Sequence, residues 1–119
     1  MNKFSRQYRL LNSEDFDLVF SRAKKFSEKK FLLLTRKNKY SYPRLGLIVA
    51  KKNVKLAVKR NRIKRIVRES FRNNKDVIKN TDVVFIAKLG IDKLSNKELR
   101  DKLDKIFAQV RNSLTNGGS

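Results

Sequence analysis

The sequence predicts a small α+β protein, an α/β sandwich in which helices pack on a small sheet in the order α-β-β-α-β-α. The chain has 119 residues and a hydrophobic content of 39%, which is enough for a single domain with one core. Three short apolar runs have the composition of strands, and apolar residues recur at helical spacing in three other segments. We expect the domain to cover residues 1–115, followed by a flexible tail over 116–119.

The first predicted helix begins at Asn12 or Ser13, since either side chain can cap its first turn, and runs to about Ser21. Acidic residues follow the cap and complement the positive end of the helix dipole. Phe16 and Phe20 lie one turn apart on this helix. Their spacing alone favours a place in the core, although such a pair could also stack on unpaired bases.

Two predicted strands follow, over residues 31–37 (FLLLTRK) and 44–52 (RLGLIVAKK), and the turn between them contains the only proline. A basic helix is predicted from about residue 54 to 73, and a third, almost continuously apolar strand over 82–88 (DVVFIAK). The second strand, the basic helix and the third strand form a βαβ-like unit. General sterics favour a right-handed crossover in such a unit.

A capping box from Ser95 to Glu98 opens the last predicted helix. Apolar residues then recur at helical spacing, which predicts that one side of this helix packs on the core. They are Leu99, Leu103, Ile106, Phe107, Val110 and Leu114.

The basic helix is the most informative part of the chain. Between Lys55 and Arg72 it carries eight basic residues and a single acid, Glu69. Apolar residues occupy one arc of the helix, so the opposite arc presents a row of cations. That outward stripe consists of Asn61, Arg65, Arg68 and Arg72, with Arg62 beside it. We expect Glu69 to pair with a neighbouring arginine (Arg62, Arg65 or Arg72).

The charge balance indicates a polyanionic partner. The 31 Lys and Arg residues outnumber the 11 Asp and Glu residues, which gives a formal net charge of +20 at pH 7. Arginine forms two-pronged contacts with phosphate, and acids that would normally alternate with the cations are missing from the helix. A solvated charged face is the alternative, but a nucleic-acid partner explains the imbalance better.

The composition argues against a catalytic centre made by the protein itself. The chain has neither cysteine nor histidine, so thiolate metal sites, disulfides and the usual general base are excluded. The acids lack the spacing of a metal loop, and no glycine-rich phosphate loop occurs. No apolar run approaches a membrane span and no signal-peptide pattern is seen, so we expect a cytoplasmic protein.

The segment KRNRIKRIVRESFR (59–72) closely resembles the RNR motif of the bacterial ribonuclease P protein component. Three other segments also resemble parts of this family. The family's strand-to-helix approach to the motif is similar to VAKKNVKLAV (49–58), its first helix to EDFDLVF (14–20), and its third strand to TDVVFIAKLG (81–90). The resemblance implies the α-β-β-α-β-α order, but with an uncommon left-handed crossover around the RNR helix. We follow the resemblance on this point, because so specific a motif outweighs a statistical rule.

The resemblance also implies a function. The protein would be the subunit of ribonuclease P that binds the catalytic RNA and the 5′ leader of precursor tRNA. The RNA would remove the leader by endonucleolytic hydrolysis with Mg²⁺, which the RNA mainly holds, and the protein alone would be inactive. We expect a monomeric protein in a 1:1 ribonucleoprotein. Its rivals are a ribosomal or other structural RNA-binding protein, an independent protein nuclease and, more weakly, a DNA-binding protein.

Site residues follow from the same resemblance, and none of them is catalytic. The residues expected to bind RNA are Lys59, Arg60, Asn61, Arg62, Lys64, Arg65, Arg68 and Arg72. Phe16 and Phe20 would form the floor of a cleft for the leader, with Lys51 and Lys52 near its mouth. Leu34 stands in this cleft where many family members carry an aromatic residue, and leucine lacks the same stacking surface.

Overall fold

The computed structural model describes Arg9 and residues 13–115. A short 3-10 helix, Ile91–Lys93, precedes the last helix. In chain order the other elements are α1 (Ser13–Arg22), β1 (Lys24–Ser27), β2 (Phe31–Lys37), β3 (Arg44–Ile48), α2 (Ala57–Asn73), β4 (Thr81–Ala87) and α3 (Asn96–Thr115). This order confirms the predicted fold and adds one strand, β1. The expected tail over 116–119 lies outside the described residues.

Within the described residues, the sheet has four strands in the order β1-β2-β4-β3. β2 pairs antiparallel with both β1 and β4, whereas β3 and β4 are parallel neighbours joined through α2. The predicted βαβ unit is therefore confirmed, and the left-handed sense of its crossover stays a prediction. β3 ends at Ile48 rather than at residue 52, because the chain turns where the amides of Asn53 and Val54 donate to the carbonyl of Ala50.

The helices cover the two faces of the sheet unequally. α2 and α3 pack together on one face, over a large core that includes Phe31, Phe71, Phe85 and Phe107. Among the described elements, α1 is the helix on the other face, where Val19 contacts a small cluster around Leu34 and Val84. One helix cannot cover a four-stranded sheet, so the described elements leave part of this second face uncovered.

Strand register divides the α1 face into three cross-strand rows. Paired residues lie on the same side of a sheet, and side chains alternate along each strand. The first row is Arg36, Asp82 and Arg44, and the second is Leu34, Val84 and Gly46, which α1 covers. The third row is Leu32, Ile86 and Ile48, whose side chains are only partly buried. This third row forms an apolar strip beside α1.

Candidate RNA interface

The basic face is positioned by the packing of α2. Ile63, Ile66, Val67 and Phe71 recur at helical spacing and are fully buried against the sheet and α3. They fix the rotation of the helix about its axis, so the polar residues between them face outward. The first turn of α2 contains no acid. The outward face is therefore positively charged from its beginning.

Three of the predicted RNA-binding residues make contacts within the protein. Arg62 holds the start of α3: its Nη1 donates to the carbonyl of Leu94 at 3.2 Å and to Oδ1 of Asn96 at 2.7 Å, and its Nη2 donates to the carbonyl of Asp92 at 3.2 Å. Arg60 binds the segment before α2, where Nη1 donates to the carbonyls of residues 54 and 55 at 2.9 and 2.8 Å. Lys59 lies 4.0 Å from the carboxylate of Asp92. These contacts orient α2 and engage three of its cationic side chains within the protein.

The other members of the set remain available to a partner. Within the described part of the chain, Asn61, Lys64, Arg65, Arg68 and Arg72 form no side-chain hydrogen bond or ion pair with another side chain. The expected pairing of Glu69 with an arginine of its own helix is wrong. Its carboxylate lies 3.4 Å from Nη2 of Arg100 on α3, and thus leaves the outward cations of α2 unpaired.

A small pocket connects α2 with α1. Its volume is about 190 Å³, and Arg9, Lys64 and Arg68 meet there at the Phe16 ring and the backbone of β3. The described residues that line it include no acidic side chain. Burial, and secondarily the positive charge of Arg9, lower the pKa of the Arg68 guanidinium below its ordinary value. An anion in this pocket would relieve the repulsion between the two arginines.

An ion cluster fixes the start of α1 to the sheet. Nε and Nη2 of Arg44 donate to the Asp82 carboxylate at 2.9 and 2.8 Å, and Nη1 lies 3.4 Å from Asp15 on α1. The Arg44 guanidinium also lies 4.6 Å from the centre of the Tyr40 ring. The hydrogen bond with Asp82 is the main reason why the pKa of Arg44 is raised. Because Phe16 follows Asp15, the cluster also positions that ring.

The two phenylalanines of α1 differ in exposure. Phe16 is partly buried against the sheet, whereas Phe20 is 46% exposed, and their ring centres lie 6.4 Å apart. Phe16 thus combines a core contact with an accessible edge in the pocket, and Phe20 presents a ring to solvent. Both can therefore offer aromatic surface to an unpaired base.

The structure places Leu34 away from any such surface. Its side chain is only 4% exposed, because α1 lies directly over the middle row of the sheet. The cleft prediction for Leu34 is therefore corrected: this side chain supports α1 from below. The accessible apolar surface belongs to Leu32, Ile48 and Ile86, the strip of the third row.

Lys51 and Lys52 are exposed in the turn that follows β3. This turn continues the strand from Ile48, so both lysines lie beyond the end of the apolar strip. Their ammonium groups can hold phosphates at that end, as the predicted cleft mouth requires.

Two other classes of site are absent from the described residues. Arg9 and residues 13–115 contain no group of three or more acidic side chains arranged to hold a metal ion. No helix in the same part of the chain has the length and apolar character needed to cross a membrane.

Sequence reasoning missed Arg44 and Asp82, as well as Arg9 and the third row. The available signal was an aspartate and an arginine, each at the start of an otherwise apolar strand. Their meeting depends on β3 and β4 being parallel and in register at these residues. The third row likewise depends on where α1 crosses the sheet, which no local pattern reports.

Comparisons with known proteins agree on one family. A family model described as Ribonuclease P matches residues 4–111. The ribonuclease P protein component of Pseudoalteromonas atlantica is 50% identical over 109 residues, which cover 92% of this chain and 91% of that protein.

Solved structures agree with this match. The Staphylococcus aureus RNase P protein has a TM-score of 0.80 at 29% identity, covering 87% of this chain and 94% of that one. The Thermotoga maritima RNase P protein has a TM-score of 0.71 at 38% identity, covering 82% of this chain and 93% of that one. The chain therefore belongs to the ribonuclease P protein family.

Proposed function

We propose that this chain is the protein subunit of ribonuclease P and acts with its catalytic RNA to remove the 5′ leader of precursor tRNA. A ribonuclease P protein component works with the ribonuclease P RNA in a ribonucleoprotein. In this proposal the outward cations of α2 bind the catalytic RNA, and the leader lies along α1 and the apolar strip. The RNA carries out the hydrolysis, and the protein alone has no activity.

The observation that carries the proposal is the pocket between α2 and α1. Lys64 and Arg68 belong to the RNR helix, and Phe16 belongs to the proposed leader surface, yet all three line one pocket, whose described lining residues include no acid. One RNA bound along α2 and one strand bound beside α1 would therefore meet here. Crowded phosphates at such a junction repel each other, and the cations of the pocket would offset that repulsion.

The leader surface would act mainly through substrate affinity. Phe20, Phe16 and the apolar strip can stack on or pack against unpaired bases, and Lys51 and Lys52 can hold phosphates at one end. Mature tRNA has no leader to make these contacts. The complex would thus bind precursor more tightly than product, which favours product release.

Magnesium is assigned to the RNA in this proposal. The described part of the protein offers no three-carboxylate group, and the Asp82 carboxylate is occupied by Arg44. The contribution of the protein is charge neutralisation beside the scissile bond, which lowers the magnesium concentration that the reaction needs. Cytoplasmic location and a 1:1 complex remain part of the proposal.

The decisive experiment is cleavage of precursor tRNA at low magnesium, with catalytic RNA alone, protein alone and the two together. We expect product only with both. Cleavage by protein alone would indicate an independent nuclease, and no stimulation of the RNA would indicate a structural RNA-binding protein. A substrate without the leader is the matched control, since the protein should not change the affinity of the catalytic RNA for that substrate.

A further inference from the structure

A second basic concavity lies at the end of the sheet where α3 finishes. Its volume is about 400 Å³, and four cations line it: Arg22, Lys24, Arg36 and Lys37. Its other walls include the apolar side chains of Ala23, Val110 and Leu114. None of the described residues that line it is acidic.

The cations of this concavity are not neutralised within the described part of the protein. None of the four forms an ion pair there, and the one hydrogen bond among them runs from Nζ of Lys24 to Oγ of Ser113 at 2.5 Å. Asp82, the cross-strand partner of Arg36, already accepts two hydrogen bonds from Arg44. Four cations around one hollow raise the local positive potential and so favour binding of an anion.

The concavity is separate from both proposed RNA surfaces. α3 packs against β1, whereas α2 packs against β3, and these strands are the opposite edges of the sheet. The apolar strip lies on the α1 face, while Val110 and Leu114 of the concavity belong to a helix on the other face. The concavity thus extends from the end of α1 to the end of α3. Its described lining shares no residue with the outward cations of α2 or with the apolar strip, although Arg36 lies in the first row of the α1 face.

We propose that this concavity, lined by Arg22, Lys24, Arg36 and Lys37, is a second docking surface for the backbone of the catalytic RNA. The proposal rests on the function proposed above. A large folded RNA that binds α2 can reach the far edge of a protein only 37 Å in its longest dimension. Phosphates supply the missing negative charge, and the apolar wall accommodates a sugar or base edge.

The test compares two double variants that each remove two positive charges. Arg36→Gln with Lys37→Gln removes charge from the concavity. Lys97→Gln with Lys105→Gln removes it from the exposed side of α3, where Lys97 pairs with Asp101 at 2.9 Å. Affinity of the full chain for the catalytic RNA is measured as a function of salt concentration. We expect the logarithmic salt slope to become shallower by about 1.5 to 2 for the first variant and by less than about 0.5 for the second.

Equal slopes for the two variants would overturn the proposal. A loss seen only for precursor tRNA, with catalytic RNA binding unchanged, would also overturn it. An Arg65→Ala and Arg68→Ala variant separates this inference from the proposed function. If that variant loses RNA affinity while the concavity variant does not, only the second surface is refuted. If wild-type protein does not bind the catalytic RNA at all, the proposed function fails as well.

A second measurement keeps the test valid if the Arg36 and Lys37 variant folds poorly. The chain has no cysteine, so Ser113→Cys provides a unique attachment point for an iron chelate that cleaves nearby RNA. We expect cleavage of the catalytic RNA at a defined segment from this position. Lys105→Cys is the matched control and should give little cleavage. Equal or absent cleavage from Ser113→Cys would contradict the proposal.

Discussion

Substitution of two arginines of the same helix should affect two different properties of the protein, its stability and its affinity for RNA. Arg62 donates three hydrogen bonds to the segment that begins α3, whereas Arg65, less than one turn away, is exposed. We therefore predict that Arg62→Ala lowers the stability of the protein. Arg65→Ala should instead weaken binding to the catalytic RNA.

The size of the Arg62 effect follows from its contacts. A net hydrogen bond contributes roughly 0.5 to 1.5 kcal/mol, so three partly exposed ones contribute about 2 kcal/mol to the free energy of unfolding. In a domain of this size that loss lowers Tm by about 8 °C. Arg65→Ala should change stability by less than about 0.5 kcal/mol, as exposed substitutions usually do.

Thermal unfolding and RNA titration distinguish the two roles. Arg65→Ala should reduce the logarithmic salt slope of RNA binding by about 1, since one phosphate contact is lost. Arg62→Ala should leave that slope nearly unchanged once binding is measured well below its Tm. An Arg62→Ala protein with wild-type Tm and a slope reduced by about 1 would refute this division of roles. Arg62→Lys is a useful control, because lysine keeps the charge but not the forked geometry.

Four further predictions concern the α1 face. Phe20→Ala should cost about 1 to 3 kcal/mol of leader affinity with little change in Tm, and an equal loss for a leaderless substrate in a binding assay would contradict leader stacking. Leu34→Ala should lower the free energy of unfolding by about 2 to 5 kcal/mol, because the side chain is buried. Calorimetry measures this loss. A variant with unchanged Tm and weaker binding of the leader alone would instead show that Leu34 lines the leader cleft. Asp82→Ala should destabilise by about 3 kcal/mol or more, since it leaves the Arg44 charge buried and poorly compensated. The pKa of Arg44 is raised, so its contribution to stability is complete below its unfolded pKa and is lost only at extreme alkaline pH. Denaturant unfolding between about pH 5 and 9 should therefore show no change in stability that comes from Arg44.

The sequence predicted those parts of the fold whose residues carry a strong local period. α2 and α3 were found because their buried residues repeat at helical spacing, and β2 and β4 because their apolar runs are continuous. β1 was missed because KKFS has one apolar residue and two lysines. This segment is a strand because its backbone pairs with β2. That pairing depends on another segment of the chain, so the four residues alone do not indicate it.

The site was predicted in outline from the RNR resemblance, but the roles within it depend on packing. Arg60 and Arg62 look as available as Arg65 when the helix is read alone. They turn inward because carbonyl groups of distant segments, at Val54 and Leu94, come within hydrogen-bonding distance. Leu34 was placed in the cleft by its sequence position and is buried because α1 crosses the sheet at that row.

The lysine-rich edge strand has a consequence for the behaviour of the protein in isolation. β1 is only four residues long, and two of these, Lys24 and Lys25, are exposed cations at the open border of the sheet. Two copies joining along this border would form few main-chain hydrogen bonds and would bring like charges together. At the opposite border, a bridge between Arg9 and Leu45 occupies part of β3. Edge-to-edge joining of two sheets into a larger β assembly is thereby disfavoured.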